Sequence, residues 1–343
     1  MPLSLIIFCF LFLSVAYSAT MDPYKFLHIV LNPDGTITRL QKHPETPATP
    51  DPNSHLPVLS RDVTINSSHN TWVRIYLPRQ ALSHHPPCSA TKLPLIVYSH
   101  GGGFMFYAAN STYFHDFCVN LALNTQSVVV SVNYHLAPEH RLPAAYDDAL
   151  DALHWIITTE DPWLTRFADY SNCYLMGDSA GGNIAYNAGL RAAAEVDQLE
   201  PLKIQGLILV QPFFGGMKRT SSELRLADDV KLALAVTDVL WELSLPVGVD
   251  RDHEYCNPMA ESRCKGGDEI KQLGWKVVVF GSFGDPLVDR QMKLAQVLEE
   301  KGVEVEGYFE GDYKHADFTK EPTGALSKQL YERIKKFITI LVA

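Results

Sequence analysis

The 343-residue sequence predicts an α/β fold built on a mostly parallel, doubly wound sheet. Six nearly continuous apolar runs have the composition of strands that are buried on both faces. Helical stripes lie between them, over residues 146–157 and 292–298, and this alternation of strand and helix is typical of a doubly wound sheet. Residues 63–66 and 72–77 instead alternate like a partly exposed antiparallel pair. The six apolar runs are residues 93–98, 127–132, 174–176, 204–210, 276–280 and 303–309.

Composition and charge limit the possible partners. The chain is 46% hydrophobic, and nothing in its middle resembles a linker, so residues 21–343 are predicted to form a single catalytic domain. Lys and Arg number 29 against 39 Asp and Glu, a formal net charge of −10. This acidic balance argues against a nucleic-acid or membrane partner. We expect a monomer or weak dimer.

The first 20 residues allow two interpretations. Residues 3–15 are almost wholly apolar, and Ala16-Tyr17-Ser18 resembles a signal-peptidase site, which would make the protein secreted. However, no Lys or Arg precedes the apolar run, and Met21 could itself be the initiator. Cleavage would leave five scattered cysteines, which is not the pattern of a disulfide framework. Residues 1–20 are therefore either a signal peptide or an N-terminal extension of a cytoplasmic protein.

The pentapeptide Gly177-Asp178-Ser179-Ala180-Gly181 has the form G-x-S-x-G. It follows an apolar run and precedes a helix-forming stretch, residues 183–194. A serine on such a tight strand-to-helix turn is exposed as a nucleophile, and the flanking glycines remove side chains that would clash. Ser179 is therefore the predicted nucleophile of a serine hydrolase. The alternative is a serine that only caps the helix.

A glycine-rich loop, His100-Gly101-Gly102-Gly103-Phe104, follows the strand predicted at residues 93–98. Consecutive glycines leave backbone N–H groups free to point at an anion. We expect Gly102, Gly103 and Ala180 to form an oxyanion hole, and His100 to hold the loop in place.

An acid and a base each follow a later strand. His315 lies after the last predicted strand, and Asp285 and Asp289 compete for the role of the acid. We favour Asp285, which is nearer its strand and is followed by Pro286; Asp289 is expected to form a salt bridge or cap the next helix. The order Ser, Asp, His is that of α/β hydrolases.

Residues 215–265 interrupt the alternation of strands and helices between two sheet strands. Insertions at the carboxyl end of a sheet lie where ligands bind, so we expect this segment and the arm at about residues 21–60 to form a cap. The alternative is a surface excursion unrelated to substrate. No Cys/His set has metal-ligand spacing, and Gly101 to Gly103 lack the Lys-Ser/Thr of a phosphate loop, so neither metal nor cofactor is expected.

Residues 100–104, 136–144, 177–182 and 285–289, together with His315, resemble the plant carboxylesterases of the hormone-sensitive-lipase-like branch of α/β hydrolases. The resemblance implies an α/β-hydrolase fold with a helical cap, in a cytoplasmic enzyme. It also implies a small-molecule ester or a plant specialised metabolite as substrate, and hydrolysis of short-chain acyl esters through an acyl-enzyme. The geometry of this family suggests an apolar pocket walled by Phe104, Met105, Phe213, Phe214, Val239 and Leu243.

The same family supplies rival interpretations. Some members keep the triad for alkaloid cyclisation, elimination or internal acyl transfer, and sequence does not separate these from hydrolysis. Gibberellin receptors of the family have lost the histidine, so His315 argues against a hormone-receptor-like binder.

Overall fold

A computed structural model describes residues 21–67, 70–83, 92–260 and 266–339. Residues 1–20, predicted to be a signal peptide or extension, lie outside the described residues. Within the four described ranges, no helix is long and apolar enough to cross a membrane. Cys118, Cys173 and Cys256 are buried free thiols.

Ten strands and twelve α-helices occupy the described ranges. The strands are β1 Ile29–Leu31, β2 Ile37–Arg39, β3 Val58–Asn66, β4 Thr71–Pro78, β5 Leu93–Ser99, β6 Val128–Asn133, β7 Ala168–Asp178, β8 Ile204–Val210, β9 Lys276–Gly281 and β10 Glu304–Phe309. The helices are α1 Pro23–Phe26, α2 Gln80–Ser83, α3 Thr112–Thr125, α4 Ala144–Thr158, α5 Pro162–Phe167, α6 Ala180–Ala194, α7 Ser221–Arg225, α8 Leu234–Ser244, α9 Gly266–Gln272, α10 Val288–Glu300, α11 Asp317–Lys320 and α12 Ala325–Thr339.

Eight strands form one sheet in the order β10-β9-β8-β7-β5-β6-β4-β3. Strands β5 to β10 are parallel, whereas β4 pairs antiparallel with both β3 and β6. The predicted α/β sheet and its antiparallel pair are therefore confirmed. The two faces of the sheet have separate hydrophobic cores. In β5, Ile96 belongs to the core under α3 and α12, whereas the adjacent Val97 belongs to the core under α4, α6 and α10. Because both faces are covered, the central strands read as continuous apolar runs.

Two parts of the fold differ from the prediction. Strand β7 has eleven residues rather than the three predicted, because only its carboxyl-terminal half, which pairs with both β5 and β8, is continuously buried. The arm at about residues 21–60, in which no strand was predicted, holds the antiparallel hairpin β1–β2 and the start of β3. Ile29 and Ile37 of the hairpin are buried, although each three-residue strand is too short to give a periodic signal.

The parallel strands bring five loops to one edge of the sheet. The segments that follow β5, β7, β8, β9 and β10 carry Gly102, Ser179, Gln211, Asp285 and His315 respectively. Because the carboxyl ends of parallel strands share an edge, residues more than 200 positions apart in the chain meet there.

The loop after β9 is held in place by α7. The backbone N–H of Ser222 donates to Asp289 Oδ2 (2.8 Å), and the Ser222 hydroxyl donates to the Pro286 carbonyl (2.7 Å). The Arg290 guanidinium donates to Glu223 Oε1 (2.9 Å), and both of these side chains are at most 10% exposed. Helix α7 thus fixes both the loop that contains Asp285 and the start of α10.

We expect Arg290→Met to lower the free energy of unfolding by about 3–5 kcal/mol, because it leaves the buried Glu223 carboxylate without its cation. Urea unfolding followed by circular dichroism measures this loss. Lys25→Met is the control, since that side chain is 87% exposed and its loss should change stability by less than about 0.5 kcal/mol. Equal effects of the two substitutions would contradict the role given to the buried pair.

Candidate active site

Ser179 sits on a strained turn between β7 and α6. Its φ of 51° and ψ of −119° are rare for an L-residue. A Cβ on Gly177 would lie 2.0 Å from the Gly181 carbonyl oxygen, and one on Gly181 would lie 1.9 Å from that of Ser99, so the turn requires glycine at both positions. The Ser179 side chain makes no capping hydrogen bond to α6, and the helix-cap alternative is therefore wrong.

The Ser179 hydroxyl, the His315 imidazole and the Asp285 carboxylate form a continuous hydrogen-bonded chain. Ser179 Oγ lies 2.8 Å from His315 Nε2, and His315 Nδ1 lies 2.9 Å from Asp285 Oδ2. The structure thus brings together the three side chains that the sequence indicated.

The Asp285 carboxylate is fully buried and accepts four hydrogen bonds. Oδ1 accepts from the Leu287 N–H (2.9 Å), and Oδ2 accepts from His315, Gln211 Nε2 (2.9 Å) and Gln291 Nε2 (3.0 Å). These donors compensate for the loss of hydration of a buried charge. The competing acid, Asp289, instead accepts from the N-terminus of α7.

The electrostatic surroundings of His315 favour its protonated form. Burial opposes a charge on the imidazole, but the charge of Asp285 and its hydrogen bond outweigh burial, and Asp178 adds to them. The net result is a pKa of His315 above its ordinary value of 6.5. Such an imidazole is well suited to accept a proton from a hydroxyl and hold it.

Gln211 is a site residue that the sequence did not reveal. Its Nε2 donates to Asp285 Oδ2 and to the Lys314 carbonyl (3.3 Å), while its Oε1 accepts from the Ala316 N–H (2.9 Å). One amide therefore fixes the acid and the backbone on both sides of His315. The only signal in the sequence is a single polar residue directly after β8, at the carboxyl edge of the sheet.

Asp178, beside the nucleophile, joins the two loops that flank Ser179. Its Oδ1 accepts from the Tyr98 hydroxyl and from the Gly101 N–H (3.0 Å). Burial raises the pKa of Asp178 to about 6, although the Tyr98 hydrogen bond opposes that shift. Asp178 thereby anchors the glycine-rich loop beside Ser179.

The glycine-rich loop turns sharply at Gly102 and Gly103, which have φ values of 112° and 61°. Within the described part of the chain, no acceptor takes a hydrogen bond from the backbone N–H of Gly102, Gly103 or Ala180. Three donors are therefore available beside Ser179. His100 supports the loop from below, where its Nδ1 lies 2.7 Å from the Gly101 carbonyl oxygen and its ring stacks on Tyr134. Burial lowers the pKa of His100 to about 4, so its ring is neutral.

A cavity of about 210 Å³ opens onto Ser179, His315, Gly102 and Gly103. Its remaining wall is mostly apolar, with Asp178 and Lys231 as the charged members. The apolar wall consists of Leu27, Phe106, Tyr107, Tyr113, Phe114, Phe213, Leu232, Val236, Leu240 and Ala316.

The predicted pocket needs correction. Val236 and Leu240 face the cavity from α8, so Val239 and Leu243 lie on a different side of this helix and are buried in the core. Phe104 also turns inward, where its ring packs 5.4 Å from that of Trp241. Of the six predicted wall residues, Phe213 lines the cavity, and Phe104, Met105, Phe214, Val239 and Leu243 are core residues beneath it.

The inserted segment is tied to the histidine loop by two ion pairs. Lys231 pairs with Asp317 and donates to the His315 carbonyl (3.3 Å), and Lys314 Nζ lies 2.9 Å from Asp229 Oδ2. Helix α1, in the arm, packs against α8, in the inserted segment. The arm and the insertion therefore both border the cavity. No group of three or more His, Cys, Asp or Glu in the four described ranges is arranged to hold a metal ion.

A family model and the curated relatives of this chain agree with each other. A family model for the alpha/beta hydrolase fold matches residues 96–319. Carboxylesterase 20 of Arabidopsis thaliana is 49% identical over 322 residues, covering 94% of this chain and 98% of that protein. A 3-O-acetylpapaveroxine carboxylesterase of Papaver somniferum is 44% identical, covering 92% of this chain and 97% of that protein.

Solved structures agree with the sequence relatives. An esterase of Pyrobaculum calidifontis superposes with a TM-score of 0.68 at 26% identity, covering 83% of this chain and 86% of that one. The fold, the three hydrogen-bonded side chains and the relatives all indicate the same family. The chain belongs to the α/β-hydrolase family, in its plant carboxylesterase branch, and is a carboxylic ester hydrolase, as the sequence predicted.

Proposed function

We propose that this enzyme hydrolyses short-chain acyl esters of small molecules, with Ser179 as nucleophile, His315 as base and Asp285 as the orienting acid. The observation that carries the proposal is the hydrogen-bonded chain from Ser179 Oγ through His315 to Asp285, with distances of 2.8 and 2.9 Å. An imidazole in that position can remove the hydroxyl proton as the oxygen attacks a carbonyl carbon.

Acylation proceeds in two proton transfers. His315 Nε2 takes the proton of Ser179 as the new C–O bond forms, and the N–H groups of Gly102, Gly103 and Ala180 stabilise the resulting oxyanion. His315 then gives this proton to the leaving alcohol oxygen, and the acyl group remains on Ser179. In deacylation, His315 takes a proton from water as the water oxygen attacks the acyl carbon. His315 then returns this proton to the Ser179 oxygen as the acyl bond breaks, which releases the free acid and restores the hydroxyl.

The dimensions of the cavity support a short acyl group. Its volume of about 210 Å³ is below the roughly 300 Å³ at which pockets for drug-sized ligands begin. We propose that residues 21–60 and 215–265 form the cap, because Leu27 and Leu240 contribute wall from these two segments. A family member that used the same groups for elimination or internal acyl transfer would release no free acid, so detection of that acid by mass spectrometry separates the two activities.

Ser179→Ala is expected to lower kcat for p-nitrophenyl acetate by about 10⁶-fold, because no other hydroxyl lies beside His315 Nε2 in the described site. Ser171→Ala, which changes an exposed serine of β7, is the matched control and should retain full activity. Burst and steady-state release of p-nitrophenol measure both variants. Activity of the Ser179 variant above one-hundredth of the wild-type value, in a folded sample, would rule out the mechanism.

Asp285→Asn is expected to reduce kcat by about 10⁴-fold, since an amide cannot stabilise the imidazolium and favours the wrong tautomer. Asp289→Asn should cost less than about tenfold, because Asp289 contacts α7 rather than His315. Steady-state kinetics on the two variants compare the acids directly. A greater loss from the Asp289 substitution would assign the acid to that residue instead.

The pH profile follows from the raised pKa of His315. A protonated imidazole cannot take the Ser179 proton, so kcat/KM should fall as the pH drops through this pKa. Because that pKa is raised, the acidic limb should have its midpoint above 6.5. Initial rates with p-nitrophenyl acetate between pH 5 and 9, corrected for spontaneous hydrolysis, give the midpoint. A midpoint at or below 6.5 would contradict the electrostatic account.

A further inference from the structure

A second, smaller cavity of about 150 Å³ adjoins the active-site cavity. Leu27, Phe106 and Tyr107 line both cavities, so these three side chains form the boundary between them. The second cavity is lined by Phe26, Leu27, His28, Gln41, His43, Phe106 and Tyr107.

The polar side chains of this second cavity have unused hydrogen-bonding capacity. Within the described ranges, no hydrogen bond engages the side chain of His28, Gln41 or His43. Burial lowers the pKa of His43, so its imidazole is uncharged at neutral pH, and no Lys, Arg, Asp or Glu lines the cavity. A hollow with apolar walls, a few free polar groups and no Lys, Arg, Asp or Glu fits an uncharged ligand.

A row of rings connects the second cavity to the histidine loop. The Tyr113 hydroxyl donates to the Ala316 carbonyl (3.3 Å), directly after His315. Tyr113 stacks on Tyr107 with ring centroids 6.2 Å apart, and the His43 ring centroid lies 4.0 Å from that of Tyr107, with the two rings tilted by 34°. We call Tyr113, Tyr107 and His43 the aromatic row.

The glycine-rich loop separates the aromatic row from an apolar wall. A Cβ on Gly102 would lie 2.8 Å from the Tyr107 ring, whereas one on Gly103 would lie 2.8 Å from Leu240 Cδ2. The two sides of the nucleophile therefore differ in chemistry, with aromatic and polar groups on one side and aliphatic α8 side chains on the other.

We propose that the second cavity is the subsite for the alcohol portion of the ester, and that it selects uncharged aromatic alcohols. This inference rests on the proposed function, in which His315 gives its proton to the leaving oxygen and the alcohol therefore lies on the histidine side. The aromatic row runs from that side into the second cavity. An aromatic alcohol stacks on Tyr107 and His43, and its polar substituents bond to Gln41 or His28.

The experiment uses acetate esters of three primary alcohols, ethanol, cyclohexylmethanol and benzyl alcohol, so that the acyl group is constant. The wild-type enzyme should show a higher kcat/KM for benzyl acetate than for cyclohexylmethyl acetate. His43→Ala should lower the benzyl-to-ethyl ratio of kcat/KM about five-fold, which corresponds to the loss of one ring contact. The inhibition constant of benzyl alcohol against ethyl acetate should rise by a similar factor.

His55→Ala is the matched control, since His55 belongs to the same arm but is exposed and lines neither cavity. The exposed Gln41, changed to Leu, is a second variant that avoids disturbing the half-buried rings. It should lower kcat/KM about five-fold for 4-(hydroxymethyl)benzyl acetate relative to benzyl acetate.

An unchanged benzyl-to-ethyl ratio in folded His43→Ala, or an equal fall in His55→Ala, would overturn the subsite while leaving the proposed function intact. Failure of the wild-type enzyme to hydrolyse any of the three esters would count against the proposed function instead. In that case an NMR titration with benzyl alcohol still tests the cavity: weaker binding to His43→Ala supports the subsite, and equal binding overturns it.

Discussion

The site depends on one buried negative charge, the carboxylate of Asp285. A carboxylate with no exposure must have its lone pairs satisfied, and the donors come from His315, Gln211, Gln291 and the Leu287 N–H. These groups lie on segments that follow three different strands. Satisfying the charge therefore draws the three loops together, and the His315 ring is left with a single orientation in which its second nitrogen meets Ser179.

The nucleophile is fixed by a separate constraint, the steric limit of the turn between β7 and α6. Gly177 and Gly181 allow the backbone on the two sides of Ser179, and that of Ser99, to come into van der Waals contact. Asp178 ties this turn to the glycine-rich loop by accepting a hydrogen bond from the Gly101 N–H. Side chains from segments far away in sequence, among them Leu27 and Val236, also line the cavity beside these loops. Lys231 joins the inserted segment to the histidine loop through the His315 carbonyl and Asp317.

Residues that carry local signatures could be predicted from the sequence, whereas residues whose roles depend on packing could not. Ser179 and the glycines have a motif, and Asp285 and His315 each follow an apolar strand, so their positions could be predicted. Gln211 has no motif, because its role arises only when β8 lies next to β9 and the segments after them meet. Val236 and Val239 could not be told apart, since α8 carries apolar residues on more than one side and only tertiary packing decides which side faces the cavity.

The central claim is that Ser179 is an activated nucleophile within a preorganised triad. The most direct measurement is covalent labelling of the native enzyme with a fluorophosphonate, followed by mass spectrometry of the intact protein and of its peptides. The account predicts a single adduct, located on the peptide containing Ser179 and formed more slowly as the pH falls. Absence of labelling in folded enzyme, or an adduct on a different serine, would contradict it.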